Sequence, residues 1–118
     1  MGIYVEAMQT VAETPMFTET AERILGAVGR SDLVAYLAAN PEEGDLIPGT
    51  GGIRKLRWRA RGKGTRGGAR VIYYVYDVDH PILALLVYGK GEADDLSPAG
   101  KRQLTAMVAE IKAAWKGK

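Results

Sequence analysis

The sequence predicts one small α+β domain: an antiparallel sheet of about four strands, two helices near its start and one at its end. Three observations carry this. Two Ser/Thr-Pro pairs, Thr14-Pro15 and Ser97-Pro98, each open an apolar pattern of helical spacing. Three runs between residues 53 and 88 are rich in Val, Ile, Leu, Tyr and Trp and are joined by short connections. The chain has 118 residues, 47% of them hydrophobic, which suits one modest core, and no linker divides it.

Residues 1–14 read as an extended lead, with the best strand at Met8 to Glu13. Thr14 caps a first helix in which Phe17, Ala21, Ile24, Leu25 and Val28 form the apolar stripe, and Gly29 ends it. Ser31 or Asp32 starts a second, shorter helix carrying Leu33, Val34 and Leu37. Asn40-Pro41 closes it, because proline pushes the preceding residue out of the helical region. Residues 41–52 then form a loop.

The first long strand spans Ile53 to Ala60. Alternation puts Leu56 and Trp58 on one face and Lys55, Arg57 and Arg59 on the other. Arg70 to Asp77 is the next strand. Ile82 to Tyr88 is nearly all apolar, which predicts a central strand or one covered on both faces. The glycine-rich 61–69 loop and the Asp77–Pro81 turn are short enough to make these three strands antiparallel. The last helix presents Leu104, Met107, Val108, Ile111 and Trp115 as one stripe. The helices are expected on one face of the sheet.

Composition removes several classes of function. There is no cysteine, which excludes disulfides and thiolate chemistry and fits a cytoplasmic protein. One histidine, His80, excludes imidazole-rich metal sites and any histidine triad not built on it. It lies in an Asp-His-Pro turn and reads as a surface residue. No apolar run approaches a membrane span. The opening, Met1 to Glu6, has an acid and no basic region, unlike a secretory signal.

The net charge is only +2, but its distribution is uneven. Residues 1–53 carry −6, and residues 71–118 balance. Residues 54–70 carry +8, through Arg54, Lys55, Arg57, Arg59, Arg61, Lys63, Arg66 and Arg70, with no acid. So dense a block repels itself, and a polyanion is its natural partner. Gly62, Gly64 and Gly67 match GxGxxG spacing. A strand follows them, not a helix, so no dinucleotide site is expected. The loop reads as a mobile basic tip able to wrap a phosphate backbone. Lys55, Arg57 and Arg59, with Arg70 and Lys90, are expected to converge on one sheet face. There they could hold a phosphate and stabilise the extra charge of a phosphorane without a metal. Tyr73, Tyr74 and Tyr76 are assigned to packing; Tyr88, beside Gly89 and Lys90 at a strand end, is the tyrosine best placed for function. Glu92, Asp94 and Asp95 read as charge favourable to the start of the last helix, not as a cation site.

Four segments together resemble the RelE/HigB toxins of bacterial type II toxin–antitoxin modules. They are Gly49–Trp58, Arg66–Tyr74 (Arg-Gly-Gly-Ala-Arg-Val-Ile-Tyr-Tyr), Val87–Glu92 and Asp94–Ser97. The similarity is closest to the phage-associated HigB-like branch and spans about residues 8–115. Residues 1–7 lie outside it, which leaves both Met1 and Met8 open as the functional start.

The resemblance implies a microbial-ribonuclease-like α+β fold and metal-independent cleavage of messenger RNA, usually on the ribosome, in the bacterial cytoplasm, with no cofactor. The substrate's 2′-hydroxyl would attack its own 3′ phosphate. Lys55 and Arg57 match the paired cations of the first long strand, Arg70 the arginine opening the next, and Lys90 the cation after the third. Arg54, Arg59, Arg61, Lys63 and Arg66 are the accompanying RNA-binding set. The resemblance also implies a cognate antitoxin, a DNA-binding protein encoded by the adjacent gene. Some relatives carry a catalytic tyrosine before the final helix, but Gly91 to Ala106 has no aromatic residue. Proton transfer is left to Tyr88 or to a lysine. Relatives of the same fold, the ParE-like toxins, inhibit DNA gyrase by binding and cleave nothing, and a non-catalytic RNA-binding relative is a further alternative. The basic sheet face favours the ribonuclease, since a gyrase binder needs no phosphate clamp.

Overall fold

The computed structural model describes residues 8–60, 68–89 and 96–117. Their order is β1 (Val11–Glu13), α1 (Pro15–Ala39), β2 (Asp45–Leu46), β3 (Ile53–Trp58), β4 (Ala69–Tyr74), β5 (Ile82–Gly89) and α2 (Pro98–Lys116). The strands form one mixed sheet in the order β1-β5-β4-β3-β2. Pairs β3–β4 and β4–β5 are antiparallel as expected, and β5 is flanked on both sides.

Two features of the sheet correct the sequence reading. β1 pairs in parallel with β5, Val11 opposite Ile82. No hairpin joins these strands; α1 and the other strands intervene, so the connection is long enough for a crossover. The 41–52 segment is not all loop. It contributes β2, which pairs with Arg54 and Lys55. The turn after β2 is held by Thr50, whose buried hydroxyl donates to Ile47 O (2.7 Å) and accepts from Ile53 N (3.1 Å).

The helices correct it as well. Both caps form as predicted: Thr14 Oγ1 accepts from Phe17 N, and Ser97 Oγ from Gly100 N, each at 3.0 Å. Asn40 is the C-cap of α1. The two expected N-terminal helices, however, are one helical run broken at Gly26, not separated at Gly29. Gly26 has φ 78°, ψ 172°, a conformation open to glycine at little cost. In an unbroken helix Leu33 would point about 160° away from Phe17. The break resets the phase, so Phe17, Ala21, Leu25, Leu33 and Leu37 all enter one core. Val28, assigned to the stripe, is left 76% exposed. An ion-pair bridge spans the break. Arg30, beyond it, donates to Glu13 through Nε (2.8 Å) and Nη2 (2.9 Å), and through Nη1 to Glu22 (3.1 Å).

The helices lie on opposite faces of the sheet, not on one. α1 packs with Leu56, Trp58, Ala69, Val71, Tyr73, Ile82, Ala84 and Val87. Val108 of α2 packs with Ile53, Ile72, Tyr74, Leu83, Leu85 and Tyr88, with Leu104, Met107, Ile111 and Trp115 at its margin. The apolar character of β4 and β5 on both faces requires this double cover.

A bulge in β5 sets which residues reach which face. Ile72 pairs with Leu86 but Tyr73 with Ala84, leaving Leu85 extra. The bulge is tied to α1: Thr14 Oγ1 donates to Leu85 O (2.8 Å), and Val87 N donates to Thr20 Oγ1 (2.9 Å). Past the bulge the alternation is inverted. Val87 therefore joins the α1 side and Tyr88 the α2 side.

A candidate functional site on the cationic sheet face

β3 alternates as expected. Leu56 and Trp58 are buried against α1, at 7% and 9% exposure, and Arg57 points the other way into solvent. Arg57 stands directly opposite Arg70 on β4. Arg70 in turn stands opposite Tyr88 on β5. Opposed residues share a face with Cβ atoms about 4.5–5.5 Å apart. Arg57, Arg70 and Tyr88 thus form a row across three strands. Lys55, two residues before Arg57, extends it on the same face. Lys55 and Arg70 are half-buried.

The sites read from the sequence separate in the structure. Lys55, Arg57, Arg70 and Tyr88 come together. Arg54 does not: it pairs with Tyr73 on the α1 face and donates through Nη1 to Gly44 O (2.7 Å) and Glu42 O (3.1 Å). It braces the loop before β2. Arg59 lies with its guanidinium 5.2 Å from the centre of the Trp58 ring. Arg61, Lys63, Arg66 and Lys90 lie outside the described residues, as do Glu92, Asp94 and Asp95.

The tyrosines divide between packing and the row. Tyr73 is fully buried; its hydroxyl accepts from Gly44 N (2.8 Å), and burial raises its pKa. Gly44 permits this approach, since a Cβ there would meet the Tyr73 hydroxyl oxygen at 2.7 Å. Burial likewise raises Tyr74. Tyr76 packs edge-on against His80 and tilts against Trp115, with centroids at 5.0 and 5.5 Å. Tyr88 is only 6% exposed, so packing takes most of its surface even though it ends the cationic row.

His80 is more than a surface residue. Its Nδ1 lies 2.6 Å from Asp77 Oδ1 and its ring 4.7 Å from that of Trp115. The hydrogen bond to His80 holds the Asp77 carboxyl below its ordinary pKa. Gln9 Nε2 donates to the Asp77 and His80 carbonyls, both at 2.6 Å. This end of the molecule anchors the C-terminal turn of α2, and it is the end of β5 remote from Tyr88.

Sequence reasoning missed a second feature, a groove of about 580 Å³ between α1 and the edge of β3. β2 pairs only with Arg54 and Lys55, so the edge of β3 from Arg57 onward faces this groove instead of a strand. Tyr36 stacks at a tilt on Trp58, centroids 5.0 Å apart. Its hydroxyl donates a hydrogen bond to Glu43 Oε2, and that bond raises the Tyr36 pKa. The signal available in sequence was a tyrosine, a tryptophan and an arginine on separate elements, with no spacing to join them.

No protein-family model matches the chain. Among the described residues, no helix is long and apolar enough to cross a membrane.

Proposed function

We propose that this protein is the toxin of a bacterial type II toxin–antitoxin pair, a RelE/HigB-like endoribonuclease that cuts messenger RNA on the ribosome without a metal. The observation that carries the reading is the Arg57–Arg70–Tyr88 row with Lys55 beside it. Like charges set directly opposite one another cost stability. A phosphodiester between them turns that cost into binding, and a phosphorane, with one more negative charge, gains more.

In the reaction the 2′-oxygen bonds to the neighbouring phosphorus while the bond to the 5′-oxygen breaks. The products are a 2′,3′-cyclic phosphate and a 5′-hydroxyl. One proton leaves the 2′-hydroxyl and one reaches the departing oxygen. Arg57 and Arg70 hold the non-bridging oxygens. Lys55 and Tyr88 are assigned the proton transfers, and Asp45 of β2 stands opposite Lys55 on the same face.

The deciding test is cleavage of mRNA by the purified chain on programmed ribosomes, run beside a gyrase supercoiling assay. Cleavage ending in cyclic phosphate, with supercoiling untouched, supports the reading. Inhibited supercoiling with intact mRNA overturns it in favour of a ParE-like binder. Expression of the chain alone should arrest growth, and co-expression of the neighbouring gene should relieve the arrest through a tight complex.

A further inference from the structure

The groove beside β3 is a separate binding feature from the cationic row, and Arg57 belongs to both. Its lining includes Trp58, 9% exposed and already in contact with Tyr36 from α1 and the guanidinium of Arg59, so the Tyr36 ring and the Arg59 plane are the surfaces left for a base. Its rim is of opposite character. Asp32 of α1 and Glu43 of the loop after it are exposed carboxylates in the lining, which also includes Arg57 and Arg59. Glu43 Oε2 accepts a hydrogen bond from the Tyr36 hydroxyl.

A phosphate backbone would not choose a rim with two carboxylates. A nucleobase would. Single-stranded RNA is read by stacking its bases on aromatic rings or arginine planes and by hydrogen bonds to their Watson–Crick edges. Carboxylates accept only, so they select edges that donate. Guanine can give N1–H and an amino N–H to one carboxylate, and adenine and cytosine offer an amino group. Uracil presents a single N–H between two acceptors and fits worst. The volume lies within the 300–1,000 Å³ typical of small-ligand clefts, so there is room for one base and its sugar.

We propose that this groove is a nucleobase pocket. It takes a base of the bound strand that reaches round the edge of β3 from the face of Arg57 and Arg70, and it prefers bases that carry an exocyclic amino group, guanine first. The proposal rests on the ribonuclease reading of the cationic row and adds to it a source of sequence preference that belongs to the protein itself.

The test uses the full chain and short RNAs with 2′-O-methyl sugars, which bind but cannot be cut. A uridine tract, the same tract with one guanosine, and the same with one inosine are compared by fluorescence anisotropy. The single guanosine should tighten binding about tenfold, a modest share of what one bidentate base contact can give. Inosine, lacking the amino group, should lose most of that gain. Asp32→Asn combined with Glu43→Gln should bring the guanosine oligomer within about twofold of the uridine tract. The inosine comparison needs no variant, so a poorly folding double variant leaves the test intact. If the three oligomers bind wild-type protein equally with a strong salt dependence, the pocket is wrong and the ribonuclease reading stands. Equal oligomer affinities with tight binding of an arginine-rich peptide, lost in the double variant, would assign the groove to a peptide and overturn the proposal. No binding of any oligomer overturns the pocket, while cleavage on programmed ribosomes decides the ribonuclease reading separately.

Discussion

Arg57 and Arg70 face each other directly across the β3–β4 ladder, two guanidinium groups on one face of the sheet with no acid among their ladder partners. The neighbouring rung on that face sets Lys55 between Ile72 of β4 and Asp45 of β2, so an acid partner is supplied to Lys55 and not to the arginine pair. A fold selected only for stability would place opposite charges there. The arrangement therefore separates residues that hold the fold from residues that tax it.

Removal of either arginine should expose this separation. Arg57→Ala and Arg70→Ala should melt at the wild-type temperature or slightly above it, since a half-exposed cation facing another contributes little or repels. Each should slow mRNA cleavage by about 10²–10³-fold, the usual effect of losing one aligned transition-state donor. Wild-type cleavage rates in both variants would remove this face from the chemistry.

Trp58→Ala should behave in the opposite way. The ring is 9% exposed and stacked on Tyr36, so its loss should cost about 3–5 kcal/mol through a core cavity. Chemical denaturation measures this. An unchanged midpoint would mean that β3 turns its other side to the core.

RNA binding should weaken steeply with salt. If about five cations of the 54–70 block contact phosphate, the log–log slope for a single strand should be near −3.5. Fluorescence titration between low and physiological salt gives the slope directly, and a value near zero would detach the block from RNA.

The break in α1 predicts a contrast between three nearby positions. Val28→Lys should be nearly neutral, because Val28 is 76% exposed. Leu33→Ala should cost about 2–5 kcal/mol, because Leu33 is fully buried. Gly26→Ala should cost at least about 1 kcal/mol through its positive φ. A continuous helix would instead tolerate Gly26→Ala and gain helix propensity from it, so thermal melts of the three variants decide the point.

The Glu13–Arg30 bridge sets part of the acid response. The hydrogen bond from Arg30 holds the Glu13 carboxyl below its ordinary 4.5, against a smaller opposing effect of burial. The unfolded chain then takes up this proton more readily than the folded one. The stabilisation is complete above about pH 4.5 and is lost as pH falls through the lower folded-state value. Glu13→Gln should be less stable at neutral pH but show a shallower decline below pH 4.5. Asp77, depressed in the same sense by His80, is present in both proteins and cancels from the comparison. Parallel stability curves would show that the bridge adds nothing.

Local patterns already determined much of this protein. The Ser/Thr-Pro caps, the alternation of Leu56 and Trp58 with Lys55 and Arg57, and the burial of β5 on both faces are set by residue types a few positions apart, so they are legible in the chain. The concentration of cations in residues 54–70 is legible for the same reason. The tertiary structure decided what depends on distant partners. Leu85 became a bulge because Thr14 and Thr20, some seventy residues earlier, take its carbonyl and the Val87 amide. That single extra residue turns Tyr88 to the face of Arg57 and Arg70; strict alternation would have sent it to the α1 side. Arg54 left the cationic set because the carbonyls of the 42–44 loop came within its reach. The groove exists because β2 stops short and leaves the edge of β3 facing Tyr36. Each of these is a contact between elements, and no local periodicity encodes which elements will meet.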